Sequence, residues 1–442
     1  PAAMSISDLF QKLSVQKTGD PIRLVCELYK VFKEETQSQE TLDDFYFWGE
    51  LLISDFDDVD KNMVDADKLF SNLQDLKNLM DDYDFLDKEQ EEAIRQFFQN
   101  FSIERRTELK EKFISLWDKL SSIYHRYQEN LAELGIAYEG MLYRNVIEQL
   151  DTDRLKYDKY IFVGFNVLNK VEHQFFKLLQ DADKAMFYWD YDIFYTQQIK
   201  KHEAGEFLKR NLQDFPNELP DSYFDSFKTP KNIRYISAST ENAQARFLPE
   251  WIRTTFSNSE YEEKENAVVL CNEALLLPVL HSIPQEVKNV NITMGFPLAQ
   301  TPVYSFINAA MELQTNGYRT DTGRFTYEAV SAILKHPYTQ QLSTHADSLE
   351  DELTKTNRFY PLPSELKQDD FLANLFTPRS GIKDLCDYLV GLIKDISILY
   401  RKEGEYNDIF NQLYRESLFQ SHLKINRLYS LCLLYTSPSP RD

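Results

Sequence analysis

The chain has 442 residues, of which 43% are hydrophobic and 27% charged, a balance that excludes a disordered polymer and supports domains with real cores. A formal charge of −22 repels phosphates, so any nucleic-acid binding requires a locally basic groove inside an acidic protein. Cys26, Cys271, Cys386 and Cys432 are scattered with no CxxC pair, which excludes a disulfide framework or a CxxC-type zinc site and fits reduced thiols in a cytoplasm.

No apolar run approaches the roughly 18 residues of a membrane span, and no signal peptide is visible, so no membrane partner is expected. Only 12 glycines occur, and long charged side chains abound, which favours helix. From the N-terminus, Leu9, Phe10 and Leu13 share one helical face; Ile22, Val25, Cys26, Tyr29 and Phe32 share another. Phe45, Trp48, Leu51 and Leu52 continue the pattern, as do Leu69, Phe70, Leu73 and Leu76. Residues 104–134 form the clearest helix, with Leu109, Phe113, Leu116, Leu120, Ile123, Tyr127, Leu131 and Leu134 in one stripe and Gly135 placed to stop it.

Near residue 157 the character changes. Tyr160-Ile161-Phe162-Val163-Gly164-Phe165 is a short apolar run of the kind buried on both faces of a parallel sheet. A helix over 170–179 and a second strand over 184–190 complete a strand–helix–strand unit. A second alternation follows: strands at 233–238, 266–271 and 290–293, and helices at 242–256, 275–281 and 302–313. Residues 325–432 revert to helix, with a polar connector at 354–368. The order is helical, α/β, α/β, helical.

Acids cluster between Ser54 and Glu92, with fourteen Asp or Glu against four Lys, which reads as a solvated helical face. Within the run Leu51-Leu52-Ile53-Ser54-Asp55-Phe56-Asp57-Asp58, the acids superficially fit a Walker-B strand or, with Asp60, a calcium loop. No glycine follows as a calcium loop needs, and the flanks have helical spacing, so the expectation is a helix–helix junction with solvated acids and no metal.

The segment from Ile161 to Asn166, the helix carrying Glu172-His173-Gln174-Phe175-Phe176, and the strand ending Trp189-Asp190-Tyr191-Asp192 resemble motifs II and III of UvrD-like superfamily-1 helicases. The Gly164-Phe165 step followed by a helix looks closer still to AddB-like subunits. Asp44–Leu52, Ser239–Leu248, Ala267–Leu270 and Asn291–Leu298 are similar to other parts of the same fold, the last to proteins with a C-terminal PD-(D/E)XK nuclease. The resemblance implies an α/β protein with large helical regions: two RecA-like, P-loop-NTPase-type parallel-sheet lobes with helical insertions. On it, residues 1–156 are the helical region of the first lobe, 157–228 the lobe itself, 229–320 the second lobe and 321–432 a helical domain.

The same resemblance implies DNA end processing in break repair. DNA, as a single strand or duplex end, and a catalytic helicase–nuclease subunit are then the partners, and ATP and Mg²⁺ the family's cofactors. The chain departs from it where the chemistry lies. No GxxxxGK[ST] loop exists, and Val163 and Gly164, followed by Phe165 and Asn166, stand where motif II has two acids to hold Mg²⁺ and orient water. No catalytic residue, metal ligand or bound cofactor is therefore assigned to this chain. Asp190 and Asp192 are nucleotide-facing acids or ordinary loop acids; Trp189 and Tyr191 are base-stacking rings or core aromatics. The rival reading is a helical interaction scaffold with no nucleic-acid role, which the −22 charge favours. The opening Pro1-Ala2-Ala3-Met4 is expected to be a fragment start. The stretch 433–442 is expected to be an adapter-derived tail outside the fold, with the nuclease domain beyond it.

Overall fold

The computed structural model describes residues 2–70, 119–196, 203–256, 266–284, 286–287, 289–400 and 409–436. The chain divides into two compact units, Pro1–Asn232 and Ile233–Asp442. The described residues are mostly helical, and their only sheets have two strands each.

In the first unit the helices begin where side chains can take up free amide groups. Ser5 and Asp8 form a capping box for α1 (Ile6–Leu13), Asp20 caps α2 (Pro21–Thr36) with proline at its first turn, and Thr41 and Asp44 box α3 (Leu42–Lys61). Between α1 and α2, β1 (Lys17–Thr18) pairs in parallel with β2 (Ile136–Ala137). β2 lies between α4 (Leu120–Glu133) and α5 (Glu139–Gln149). Gly135 does end α4, with φ of 67° in the left-handed region that glycine tolerates. The part of that expected helix before residue 119 lies outside the described residues. The buried stripe of α2 is Leu24, Val25, Leu28, Val31 and Phe32, turned from the expected face because Ile22, Cys26 and Tyr29 stay part-exposed.

The strand–helix–strand unit forms as expected. β3 (Tyr160–Val163) pairs in parallel with β4 (Ala185–Tyr188), Tyr160 opposite Ala185 and Val163 opposite Tyr188, with α6 (Lys170–Asp181) between them. Burial of β3 on both faces does not hold. Tyr160 and Phe162 pack inward, whereas Ile161 and Val163 are 59% and 65% exposed, because alternate side chains of a strand point to opposite faces and α6 covers one of them. Phe162, Phe175, Phe176, Phe187 and Phe215 form the aromatic core here, continuous with Phe10, Phe45, Phe56 and Tyr127 of the helical part. A short helix α7 (Ile193–Thr196) and α8 (Glu206–Asp214) follow.

The second unit departs from expectation. The helices α9 (Glu241–Phe256), α10 (Leu276–Ser282) and α11 (Pro302–Glu312) are present, but 233–238, 266–271 and 290–293 are not strands. β-branched composition states a preference, and a strand exists only with a hydrogen-bonded neighbour. These runs have none and stand in solvent, with Tyr235 92% and Val269 83% exposed. The second unit therefore has no parallel sheet among the described residues. The unit's core is built by α11 together with α12 (Tyr327–Leu334), α13 (Pro337–Leu342), α14 (Ala346–Lys355), α15 (Pro363–Leu366), α16 (Asp370–Leu375), α17 (Gly381–Leu399) and α18 (Ile409–Thr436). Val303, Phe306, Phe325, Ile333, Leu372 and Leu392 lie at its centre. β5 (Tyr318–Arg319) and β6 (Arg324–Phe325) make an antiparallel hairpin closed by Gly323 at φ 67°. Residues 433–436, expected to lie outside the fold, continue α18, since leucine and tyrosine extend a helix and the prolines come only at 438 and 440. Residues 437–442 lie outside the described residues.

Candidate functional site

At the end of β3 the chain turns through Gly164, whose φ of 78° places it in the left-handed region; its N–H donates to the Tyr188 carbonyl at 3.1 Å. Val163 is exposed, and Phe165 packs edge-on against Phe176. The Asn166 carbonyl accepts from the Asn211 side chain at 2.6 Å. The N-terminus of α6, the natural place for a phosphate, is closed by its own residues: Asn169 accepts from Glu172 N–H at 2.8 Å and Glu172 from Asn169 N–H at 3.1 Å.

The acids after β4 differ. Asp190 is exposed at the strand's end. One carboxylate oxygen of Asp192 accepts from Phe194 N–H at 2.9 Å, and the other from Ser226 and Phe227 N–H at 2.9 and 2.7 Å. Desolvation raises its carboxyl, and these three amides more than offset that, leaving it below its ordinary value. Asp192 thus pins the loop at 226–227. Trp189 does not offer a stacking face: it is 3% exposed, packs parallel to Phe187 and donates Nε1–H to the Phe215 carbonyl at 2.8 Å. Tyr191 is covered by Phe224 at 4.5 Å between ring centroids, and its hydroxyl donates to Asp221. These residues do not fit a Mg²⁺-nucleotide. The position of the motif carries no carboxylate, Asp192 is committed to backbone amides, and the helix end is self-capped.

The acids of the 51–60 run do not lie at a helix–helix junction. They sit inside the single helix α3, and two of them are structural. Asp57 accepts from Gly140 N–H at 2.5 Å and pairs with Lys61, which also reaches Glu139 at 2.7 Å. Asp60 is fully buried and receives hydrogen bonds from Tyr124 (2.5 Å), Tyr138, Gln128 (3.0 Å) and Arg144 (3.3 Å). Burial holds its carboxyl above the usual value, an effect those donors offset only in part; four converging donors are the surroundings that favour a carboxylate. Among the described residues no group of three or more His, Cys, Asp and Glu could hold a metal ion. The acids at 71–92 lie outside the described residues.

In the second unit, three arginines that sequence reasoning passed over line one open cleft of about 520 Å³ with Thr322, Asn357, Phe359 and Tyr360. The β5–β6 hairpin supplies Arg319 and Arg324; the turn after α14, reversed by Asn357 at φ 51°, supplies Arg358. Backbone bonds join the two pieces, Phe325 N–H to the Pro361 carbonyl at 3.0 Å and Tyr327 N–H to the Phe359 carbonyl at 2.9 Å. The available signal was the R-T-D-T-G-R hairpin turn; Arg358, more than thirty residues on, had none.

This unit also has a pH-sensitive cap. His336 Nδ1 accepts from Tyr338 N–H at 3.2 Å, and burial holds the imidazole below its ordinary value. A histidine whose folded pKa is depressed is protonated first in the unfolded chain, so its stabilisation is present above about pH 6.5 and is lost as pH falls toward the folded value. Glu350 acts in the next window down. Burial raises its carboxyl, but Lys335, Tyr327 and Ser331 bring it below its ordinary value, so its contribution is lost as pH falls below that of a free glutamate. Hydrogen-exchange protection of α11 to α13 should therefore drop between pH 7 and 5.5, with a further loss near pH 4. Constant protection across that range would contradict the assignment.

Among the described residues no helix is long and apolar enough to cross a membrane. No protein-family model matches this chain, and no curated protein matches it in sequence.

Proposed function

We propose that this chain is a non-catalytic DNA-holding part of an AddB-like, UvrD-like helicase–nuclease, acting in the cytoplasm beside a catalytic helicase–nuclease subunit in strand-break processing. The observation that carries the reading is the parallel β3–α6–β4 unit, whose first strand ends in Val163-Gly164 at the position of the helicase acids. Such a unit can position a strand while lacking the carboxylates that ATP hydrolysis needs. The finer architecture, two RecA-like lobes with 229–320 as the second, is part of the same proposal.

Two measurements test the reading. Steady-state phosphate release in the presence of single-stranded DNA should stay at background, and turnover that survives repurification would sink the loss of catalysis. Fluorescence anisotropy with a labelled oligonucleotide should show weak binding that falls steeply with salt, because phosphate contacts release counterions. The charge of −22 favours the second reading, a helical scaffold for other proteins. No binding at low salt by a folded sample would decide for it.

A further inference from the structure

We infer that the arginine cleft of the second unit binds single-stranded nucleic acid, with guanidinium groups on phosphates and an aromatic ring under a base. The choice of nucleic acid among polyanions rests on the DNA-holding reading; the site itself rests on its own geometry. All three charged residues lining the cleft are cationic, in a chain with 71 acids against 49 Lys and Arg. Two acids adjoin it. Glu365 pairs with Arg358, and Asp321 stands 3.7 Å from Arg319 Nε, too long for a hydrogen bond. Arg319 and Arg358 keep about half their side-chain surface in solvent.

The rings beside them are open to solvent. Phe359 is 64% and Tyr360 49% exposed, and the Arg319 guanidinium lies 5.8 Å from the centre of the Tyr360 ring. Arg324 does a different job: it donates to the Tyr360 carbonyl at 2.8 Å and so fixes the loop that carries both rings. An acidic peptide would use the arginines and leave the rings idle. A single strand uses both, since any base stacks on an aromatic face and its phosphates meet the forked donors. The volume falls in the range of small-ligand pockets, which suits a nucleotide or two rather than a duplex.

The test uses the full chain and fluorescein-labelled oligo-dT. Arg319→Glu with Arg358→Glu should weaken binding at least tenfold and reduce the slope of log affinity against log salt by about 1.4, the release from two single-strand phosphates. Phe359→Ala should weaken binding roughly tenfold and leave that slope unchanged. Lys68→Glu with Arg154→Glu, two exposed residues of the first unit outside β3–α6–β4, makes the same change in net charge and should have little effect. Thermal unfolding of each variant confirms that it is folded. Wild type and cleft variant binding equally would overturn the site and leave the DNA-holding reading intact. Equal losses in cleft and control variants would reduce the effect to net charge and overturn the site too. Labelled poly-glutamate binding better than oligo-dT would assign the cleft to acidic peptides instead. No oligo-dT binding by wild type would remove both the site and the reading beneath it.

Discussion

Replacing Asp60 with alanine should destabilise the first unit by about 3–5 kcal/mol, the usual cost of removing one side of a buried charge pair. The carboxylate is fully buried, and its removal strands the Tyr124 and Tyr138 hydroxyl protons and takes one acceptor each from Gln128 and Arg144. Two of those groups have been shaped by it: burial and the Asp60 charge hold the Tyr124 and Tyr138 hydroxyls above the ordinary tyrosine value. Tyr138→Phe should cost less, about 1.5–3 kcal/mol for one bond to a charged group. Thermal unfolding measures both. An Asp60→Ala loss below 1 kcal/mol would mean that the network holds nothing together. The combination Asp60→Leu, Tyr124→Phe and Tyr138→Phe should recover much of the loss, since the cost lies mainly in orphaned donors.

Gly140→Ala should also destabilise, and its sign is informative. By helix propensity alone the change should stabilise by about 1 kcal/mol. Here a Cβ would stand 2.4 Å from the Asp57 carbonyl oxygen and 3.0 Å from its Cα, both on the backbone of α3. The two helices must part, which lengthens the bond from Gly140 N–H to Asp57 and disturbs the Lys61 bridge to Glu139. Overpacking of this kind costs about 1–3 kcal/mol, and Gly140→Val should exceed that. A melting temperature raised by Gly140→Ala would show that the helices are not in contact at this point.

The parts of the fold legible in the sequence are those that local chemistry decides. Ser5, Asp20 with Pro21, Thr41 and Asn169 are short polar caps before apolar stripes, and each opens a helix. The β3–α6–β4 unit was legible because two short apolar runs flank an amphipathic stretch of helical period. What failed depended on distant partners. The runs at 233–238, 266–271 and 290–293 have strand composition, but no neighbour pairs with them. Asp60 looked like one solvated acid among many because the tyrosines that bury it lie 64 and 78 residues away. Trp189 leads into an acidic loop in sequence, yet its indole turns inward to the Phe215 carbonyl, 26 residues on. The arginine cleft has the same cause, since only the fold brings Arg358 to Arg319.

The parallel pairing of β1 with β2 sets a timetable for synthesis. Lys17 meets Ile136, Ser7 bonds Glu139, and Tyr127 donates to the Leu24 carbonyl, so α1 to α3 complete their packing with partners beyond residue 119. At typical elongation rates the ribosome needs on the order of 10 s to deliver those partners. For that interval Leu9, Phe10, Leu28, Phe45 and Phe56 have no mates from α4, β2 and α5. Closing loops of such length also makes refolding slow, because chain entropy must be lost before any of these contacts forms. The nascent N-terminal segment is thus a client for chaperones that hold exposed apolar helices.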